Sequence, residues 1–241
     1  MNELIKYTFL GLFFGTFGTT IGGIIGIIIN NKSNKFLSFI LSFAGGLMLA
    51  IVCFDLLPEA MNSANIFKII VGTIIGVICM IICEEIVENK FEIKGNSLLK
   101  TGIIASIGLA IHNFPEGLAI GSGFSSSTYL GYSLAIAICI HDIPEGISMA
   151  VPMKSAGVKP LKVIFLVILS GITTGIGAFF GKIIGDISES VIAICLSFAA
   201  GAMLYIVSGE LIPESNKLYA GKINYIGNII GFIIGFIATQ L

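Results

Sequence analysis

Leu41-Ser42-Phe43-Ala44-Gly45-Gly46-Leu47-Met48-Leu49, running on to Asp55-Leu56-Leu57-Pro58-Glu59, recurs 155 residues later. The second copy reads Leu196-Ser197-Phe198-Ala199-Ala200-Gly201-Ala202-Met203-Leu204, running on to Glu210-Leu211-Ile212-Pro213-Glu214. Over 41–60 and 196–215, 12 of 20 positions are identical without a gap. Thr19-Thr20 and Thr173-Thr174 recur at nearly the same offset. Low-complexity apolar sequence imitates repeats, but an acid-x-x-Pro-Glu ending in register is not low complexity.

Working outward, a bilayer core needs ~20 apolar residues per helix. Stretches of that kind run approximately 7–29, 36–58, 67–88, 99–121, 129–153, 160–184, 188–212 and 222–240. The expectation is an all-α polytopic membrane protein with eight transmembrane helices. The repeat copies fall in the second and seventh spans, which cross in opposite directions. They are therefore related by a pseudo-two-fold axis in the membrane plane. One transporter domain, 1–241, follows in a 3+2+3 arrangement: a three-helix repeat over 1–88, a helix pair over 99–153, and the inverted three-helix repeat over 160–241. Inverted repeats with a site at their junction are a transporter signature.

Composition agrees. The chain is 56% hydrophobic and 11% charged, with mean hydropathy +1.02, against ~25% charged residues in a soluble domain. Net charge is −1 and every basic residue is lysine. No basic patch exists for nucleic acid, and no guanidinium fork for bidentate anion recognition. Cys53, Cys79, Cys83, Cys139 and Cys195 all lie in apolar runs and read as small buried hydrophobes, although Cys79 and Cys83 are one helical turn apart. The opening Met1-Asn2-Glu3-Leu4-Ile5-Lys6 lacks a small-residue cleavage site, so the first apolar run is expected to stay as a span.

Lysines set the orientation. The loops after spans 1, 3, 5 and 7 hold ten (Lys32, Lys35, Lys90, Lys94, Lys100, Lys154, Lys159, Lys162, Lys217 and Lys222), and the opposite side holds three (Lys6, Lys68, Lys182). Both termini are expected outside the cytoplasm.

The chemistry lies in the central pair. Both histidines of the chain occur in one hexapeptide pattern, His112-Asn113-Phe114-Pro115-Glu116-Gly117 and His141-Asp142-Ile143-Pro144-Glu145-Gly146. Ionisable side chains are costly at membrane depth and mark function. On a helix, positions i and i+4 share a face, so His112 aligns with Glu116 and His141 with Glu145. Asn113 and Asp142, about 100° round, border the same cleft. Antiparallel helices could offer His112, Glu116, His141 and Glu145 to one ion, with Asn113, Asp142 and the second glutamate oxygens holding another. Pro115 and Pro144 leave the carbonyls of Ile111 and Ile140 without a donor and are expected to kink both helices. Imidazole with carboxylate suits Zn²⁺, and also Fe²⁺, Mn²⁺, Co²⁺ or Cd²⁺. A plain histidine–glutamate hydrogen bond between packed helices is the competing account.

Asp55 and Glu59 end span 2 on one face, and Glu210 and Glu214 end span 7 on the other. As a transport pathway they would draw cations in and release them; as interfacial charges they would merely terminate spans. Glu84, Glu85 and Glu88 read as a solvated helix end. Met48 and Met203 read as thioether ligands or as packing.

These motifs, with Ser42-Phe43-Ala44, Met48 and the Ser197-to-Glu214 segment, resemble the ZIP (Zrt/Irt-like protein) family of divalent-metal transporters, bacterial zinc-uptake type, over essentially the whole chain. The resemblance implies eight helices with both termini outside and a two-ion centre between helices 4 and 5. It implies one ion on His112, Glu116, His141 and Glu145, with Met48, and a neighbouring ion on Asn113, Asp142 and bridging glutamates. It further implies inward transport in the cytoplasmic membrane, with the metal-bearing helices moving as a block against a scaffold, often in a homodimer. The chain departs from the family at Ser170-Gly171-Ile172-Thr173-Thr174-Gly175. Thr174 stands where relatives commonly carry a glutamate, which should weaken the second ion site. The His-rich cytoplasmic loop is absent too.

The expected function is divalent-metal uptake, with zinc as the cargo ion, no catalytic residue, and partners limited to metal ions, lipid and a second copy. An intramembrane zinc-dependent hydrolase is the first alternative, but the chain has no His-Glu-x-x-His and no nucleophile beside either histidine. A proton or solute carrier using the acids as a relay is the second.

Overall fold

A computed structural model describes residues 3–29, 33–90 and 97–239, with side chains omitted at 88–90 and 97–106. Asn30, Asn31, Lys32, Lys94 and the side chains of Glu88, Lys90 and Lys100 thus lie outside the described residues. The described elements are all helical. We number them α1 (Glu3–Ile28), α2 (Asn34–Ser63), α3 (Ile66–Lys90), α4 (Ser97–Ser126), α5 (Thr128–Ser155), α6 (Pro160–Gly185), α7 (Glu189–Leu218) and α8 (Lys222–Ala238).

Six of them, α1, α2, α3, α5, α6 and α7, are long and apolar enough to cross a membrane; α8 is apolar and shorter. With 30 residues, α4 exceeds the ~20 that a crossing needs. The chain is a multi-pass membrane protein.

Connections are short, so successive helices run antiparallel. Ser127 and Ser188 cap α5 and α7, their hydroxyls accepting from Leu130 N (3.1 Å) and Val191 N (3.4 Å); such caps satisfy orphan first-turn donors. After α5, Gly157 adopts φ +78° while Val158 N donates to the carbonyl of Met153. That left-handed stop suits glycine.

The helices sort into two shells. α2, α5 and α7 are largely buried. α1, α3, α6 and α8 expose rows of large apolar side chains, such as Phe9, Phe13 and Phe17 on α1 or Ile226, Ile229, Ile230 and Ile233 on α8. Such rows would aggregate in water but match lipid. Cys195 is buried, as expected of a small hydrophobe, whereas Cys53 is exposed on the molecular surface.

One exchange relates the halves. The principal packing pairs are α4–α6 with α5–α1, α2–α8 with α7–α3, α4–α7 with α5–α2, and the self-paired α1–α6 and α4–α5. Each pair maps onto its mate when α1–α3 exchange with α6–α8 and α4 with α5. Close approaches repeat residue by residue. A Cβ on Gly22 would strike the carbonyl of Ile143 and the Cα of Gly146, and one on Gly177 would strike the carbonyl of Phe114 and the Cα of Gly117. Gly76 meets the carbonyl of Phe198 as Gly231 meets that of Phe43. A single offset of 155 therefore runs through all three helices of each half, and an offset of 29 relates α4 to α5. Thr19 pairs with Thr174 under this exchange, not with Thr173.

Helices α2 and α7 run past the ends expected at 58 and 212. Each contains one wide π-type turn, Val52–Leu56 and Val207–Leu211, again 155 apart. The cause is Pro58 and Pro213, which cannot donate to the carbonyls four residues back and crowd them. The backbone opens by one residue, so that Leu57 N donates to the carbonyl of Val52 and Ile212 N to that of Val207. Asp55 and Glu210 sit inside these turns rather than at helix ends. Single π turns recur at functional sites. By contrast α4 and α5 continue as α-helix through Pro115 and Pro144.

Candidate metal centre

His112 lies near the middle of α4 and His141 near the middle of α5, so the hexapeptides meet about halfway along the two helices. Between them Glu116, His141, Asp142 and Glu145 gather, each offering a donor atom within 4.8 Å of the others, all buried. His141 Nε2 lies 2.9 Å from Glu116 Oε1 and 3.4 Å from Asp142 Oδ1.

The second oxygen of Glu116 and both oxygens of Asp142 and of Glu145 are buried and take part in no hydrogen bond. Buried polar groups are ordinarily hydrogen-bonded, and uncompensated buried carboxylates are strongly unfavourable. Three carboxylates around one imidazole, with five idle oxygens, form a cage for a cation. The nitrogen in the set favours a borderline transition metal over Mg²⁺ or Ca²⁺, which prefer oxygen alone.

Other site candidates fall elsewhere. His112 is not one of the four gathered donors; its Nε2 lies 3.0 Å from Glu210 Oε1 on α7. Asn113 is fully buried, and its amide donates to the carbonyl of Ser170 on α6 at 3.1 Å, leaving Oδ1 free. Thr174 is fully buried too, with no partner for its hydroxyl. Met48 and its mate Met203 are wholly buried in the main apolar core, which reaches Ala137 and Ile138 on α5, one turn from His141.

A cavity of about 340 Å³ reaches the cluster at Glu145. His112, Glu145, Glu210, Glu214 and Glu84 are among its lining residues. Glu84 corrects the expectation of a solvated helix end: it accepts from the Tyr205 hydroxyl on α7 and faces this cavity. Its position one turn after Met80, which also lines the cavity, was the available signal. The cavity opens where α3, α5 and α7 end, on the lysine-rich side. Glu214, at its mouth, is exposed and 3.4 Å from Lys217.

The opposite side is more closely packed. Of the positions exchanged with the cavity lining, Leu56, Glu116, Ala119, Ile120, Ile138 and His141 are 0% exposed, while Ile140 and Glu59 are half-buried. Above them Asp55 is 8% exposed and accepts a long 3.4 Å bond from Ser133 on α5. Glu59 accepts from Ser126 at the end of α4. Sequence reasoning did not find Ser133 or Ser126, because nothing local marks a serine as the partner of an acid on another helix.

Known proteins resemble the chain as follows. The family described as ZIP Zinc transporter matches residues 85–239. A relative called Zinc transporter ZupT from Salmonella paratyphi A is 32% identical over 199 residues, covering 77% of each chain. Zinc transporter GufA of Myxococcus xanthus is 34% identical over 144 residues, 59% of this chain and 57% of that one. Zinc transporter ZIP11 of Xenopus tropicalis is 41% identical over 148 residues, 58% of this chain and 44% of that one. The matched part thus spans only about half the length of these last two relatives. Doubled hexapeptide, inverted packing and family match agree: this chain belongs to the ZIP zinc transporter family.

Proposed function

We propose that this chain carries a divalent transition-metal ion, zinc foremost, inward across the cytoplasmic membrane. The observation that carries the reading is the set Glu116, His141, Asp142 and Glu145, gathered halfway along α4 and α5 with five carboxylate oxygens that accept no hydrogen bond. The printed names of the relatives, all zinc transporters, support the choice of ion, and family membership counts against an enzyme.

Direction follows from charge. The lysine-rich side is cytoplasmic by the positive-inside rule, which leaves both termini outside. On that assignment the cavity faces the cytoplasm and the packed side faces outward, an inward-open arrangement. Asp55 and Glu59 then attract ions at the entrance; His112, Glu210 and Glu214, with Glu84, form a descending series of donors towards release. The segments 1–88 and 160–241 act as flanking repeats around the metal-bearing pair 99–153. A cluster of four donors gathered at one point favours one tightly held ion over two.

Zinc uptake into proteoliposomes tests the reading, with Fe²⁺, Mn²⁺, Co²⁺ and Cd²⁺ as competitors. The wild type should accumulate Zn²⁺, and Glu116→Ala or Glu145→Ala should reduce uptake to the level of empty vesicles. Undiminished uptake by both variants would overturn it.

A further inference from the structure

We infer that Asp55 is a metal-pathway ligand of the outward-open state, standing against His141 there as Glu210 stands against His112 here. The inference rests on the transport reading above and goes beyond it by naming a contact that the present conformation lacks.

The backbone obeys the exchange of halves. The glycine contacts repeat at an offset of 155, the α4–α5 positions at 29, and both wide turns recur. Under the same exchange His112 becomes His141, Glu116 becomes Glu145, and Glu210 becomes Asp55. The acids thus occupy the same place in the same turn, each on a helix packed against the helix bearing its histidine.

Side-chain contacts at the centre break the symmetry. His112 holds Glu210 at 3.0 Å, but the exchanged pair His141–Asp55 is not formed. His141 holds Glu116 at 2.9 Å, but in the exchanged pair Glu145 has no hydrogen bond at either oxygen. Solvent access breaks it in the same sense: the Glu210 side has a cavity, whereas on the Asp55 side most of the exchanged lining positions are buried.

A symmetric frame holding asymmetric contacts has a second arrangement in which the halves trade roles, since the interfaces that slide are alike. In that arrangement His112 turns back onto Glu145, and Asp55 leaves Ser133 for His141. Ser133 and His141 are two turns apart on α5, so the helix travels at most about 12 Å past α2 at 1.5 Å per residue. The carboxylate of Asp55 then faces the newly opened outer cavity beside the imidazole, the donor pair that Glu210 and His112 present to the inner cavity. An arriving ion meets a carboxylate and an imidazole first, and a departing ion meets the same pair last.

Kinetics in both directions provide the test. Without pH or voltage gradients, passive flux obliges kcat/KM to be equal for influx and efflux, so a ligand confined to one state divides its effect differently by direction. In oriented proteoliposomes, Asp55→Asn should raise the influx KM for Zn²⁺ about tenfold, the lower end of what lost metal-site interactions cost, with kcat little changed. For efflux the same variant should lower kcat about tenfold and leave KM unchanged. Glu210→Gln should show the opposite division, and Asp55→Glu should restore wild-type influx. An Asp55→Asn effect equal in KM for both directions, or none, overturns the inference. Should Asp55→Asn fail to fold, Ser133→Ala serves instead: by releasing Asp55 it should lower the influx KM, and an unchanged or raised KM overturns the inference. A wild type that moves no metal sinks the uptake reading itself, whereas direction-blind variants of an active wild type sink only this contact.

Discussion

Glu145 stands beside Glu116 in the buried four-donor set, yet only Glu116 has a hydrogen-bond partner, the imidazole of His141 at 2.9 Å. Both oxygens of Glu145 are left without one. The two residues are equivalent in sequence and unequal in the fold, and Glu145 also lines the cavity on the lysine-rich side.

Glu145 is therefore placed to cost stability without metal and to return it with metal. Glu145→Gln removes a buried, unbonded carboxylate, so the metal-free variant should melt above the metal-free wild type. The wild type should gain about 2.7 kcal/mol when Zn²⁺ reaches one hundred times its Kd, and the variant should lose most of that gain. Thermal melts with chelator and with Zn²⁺ check both; a variant less stable without metal and still stabilised by Zn²⁺ would contradict the assignment.

Gly146 lets α1 and α5 touch, since a Cβ there would run into the carbonyl of Thr19. Gly146→Ala should cost about 1–3 kcal/mol through overpacking, and Gly117→Ala a similar amount against Thr174. Among the described residues, nothing beyond Gly108's own stretch of helix comes within 4 Å of its would-be Cβ. Gly108→Ala should thus stabilise α4 by about 0.5–1 kcal/mol through helix propensity. Comparing the three in denaturation assays separates close packing from propensity.

Ser215 joins α7 to α2 in a buried polar knot. Its hydroxyl lies 2.5 Å from Ser42 Oγ and donates to the carbonyl of Ser38 at 2.9 Å, while its own carbonyl accepts from the Ser38 hydroxyl at 2.8 Å. Ser215→Ala should destabilise the protein by about 1–3 kcal/mol by stranding these partners away from water. Asn216→Ala, at an exposed neighbour, should cost less. A Ser215→Ala protein as stable as the wild type would show the knot to be dispensable.

Asp186 follows α6, outside the span. Partial burial acts to raise its pKa, but hydrogen bonds from Lys182 (2.6 Å) and Ser125 (2.8 Å), with the lysine charge, outweigh that and lower it. A carboxylate with a depressed folded pKa contributes stability above its unfolded value, and that stability is lost as pH falls through the folded one. Between about pH 6 and pH 3, spanning the ordinary aspartate value of ~3.9, the wild type should lose more stability than Asp186→Asn. The difference should be small, because the Asp186 side chain is 52% exposed and solvent screens the pair. Parallel slopes for the two proteins would argue against it.

The expected eight helices and their antiparallel repeats were legible because lipid leaves so few choices. Apolar runs of span length have to be helices, and an acid-x-x-Pro-Glu ending repeated in register fixes how two of them relate. That Glu116, His141 and Glu145 would come together was legible for a similar reason, since ionisable groups at such depth need a purpose. Helix periodicity also put each histidine on the face of its own glutamate.

Which donors meet depended on rotamers and on the third helix at each contact. Periodicity pairs His112 with Glu116 on one face, but the folded chain swings that imidazole to Glu210, supplied by α7 from 98 residues away. The wide turns at Asp55 and Glu210 arise where proline crowds a carbonyl, so they are local in cause, yet only the assembled bundle gives those acids their neighbours. Glu84 looked like a water-facing helix end because its partner, Tyr205, lies 121 residues further on. Sequence determines which groups a membrane will tolerate and how far apart along a helix they stand. Contacts between helices, and the side on which the structure opens, come from packing whole surfaces together.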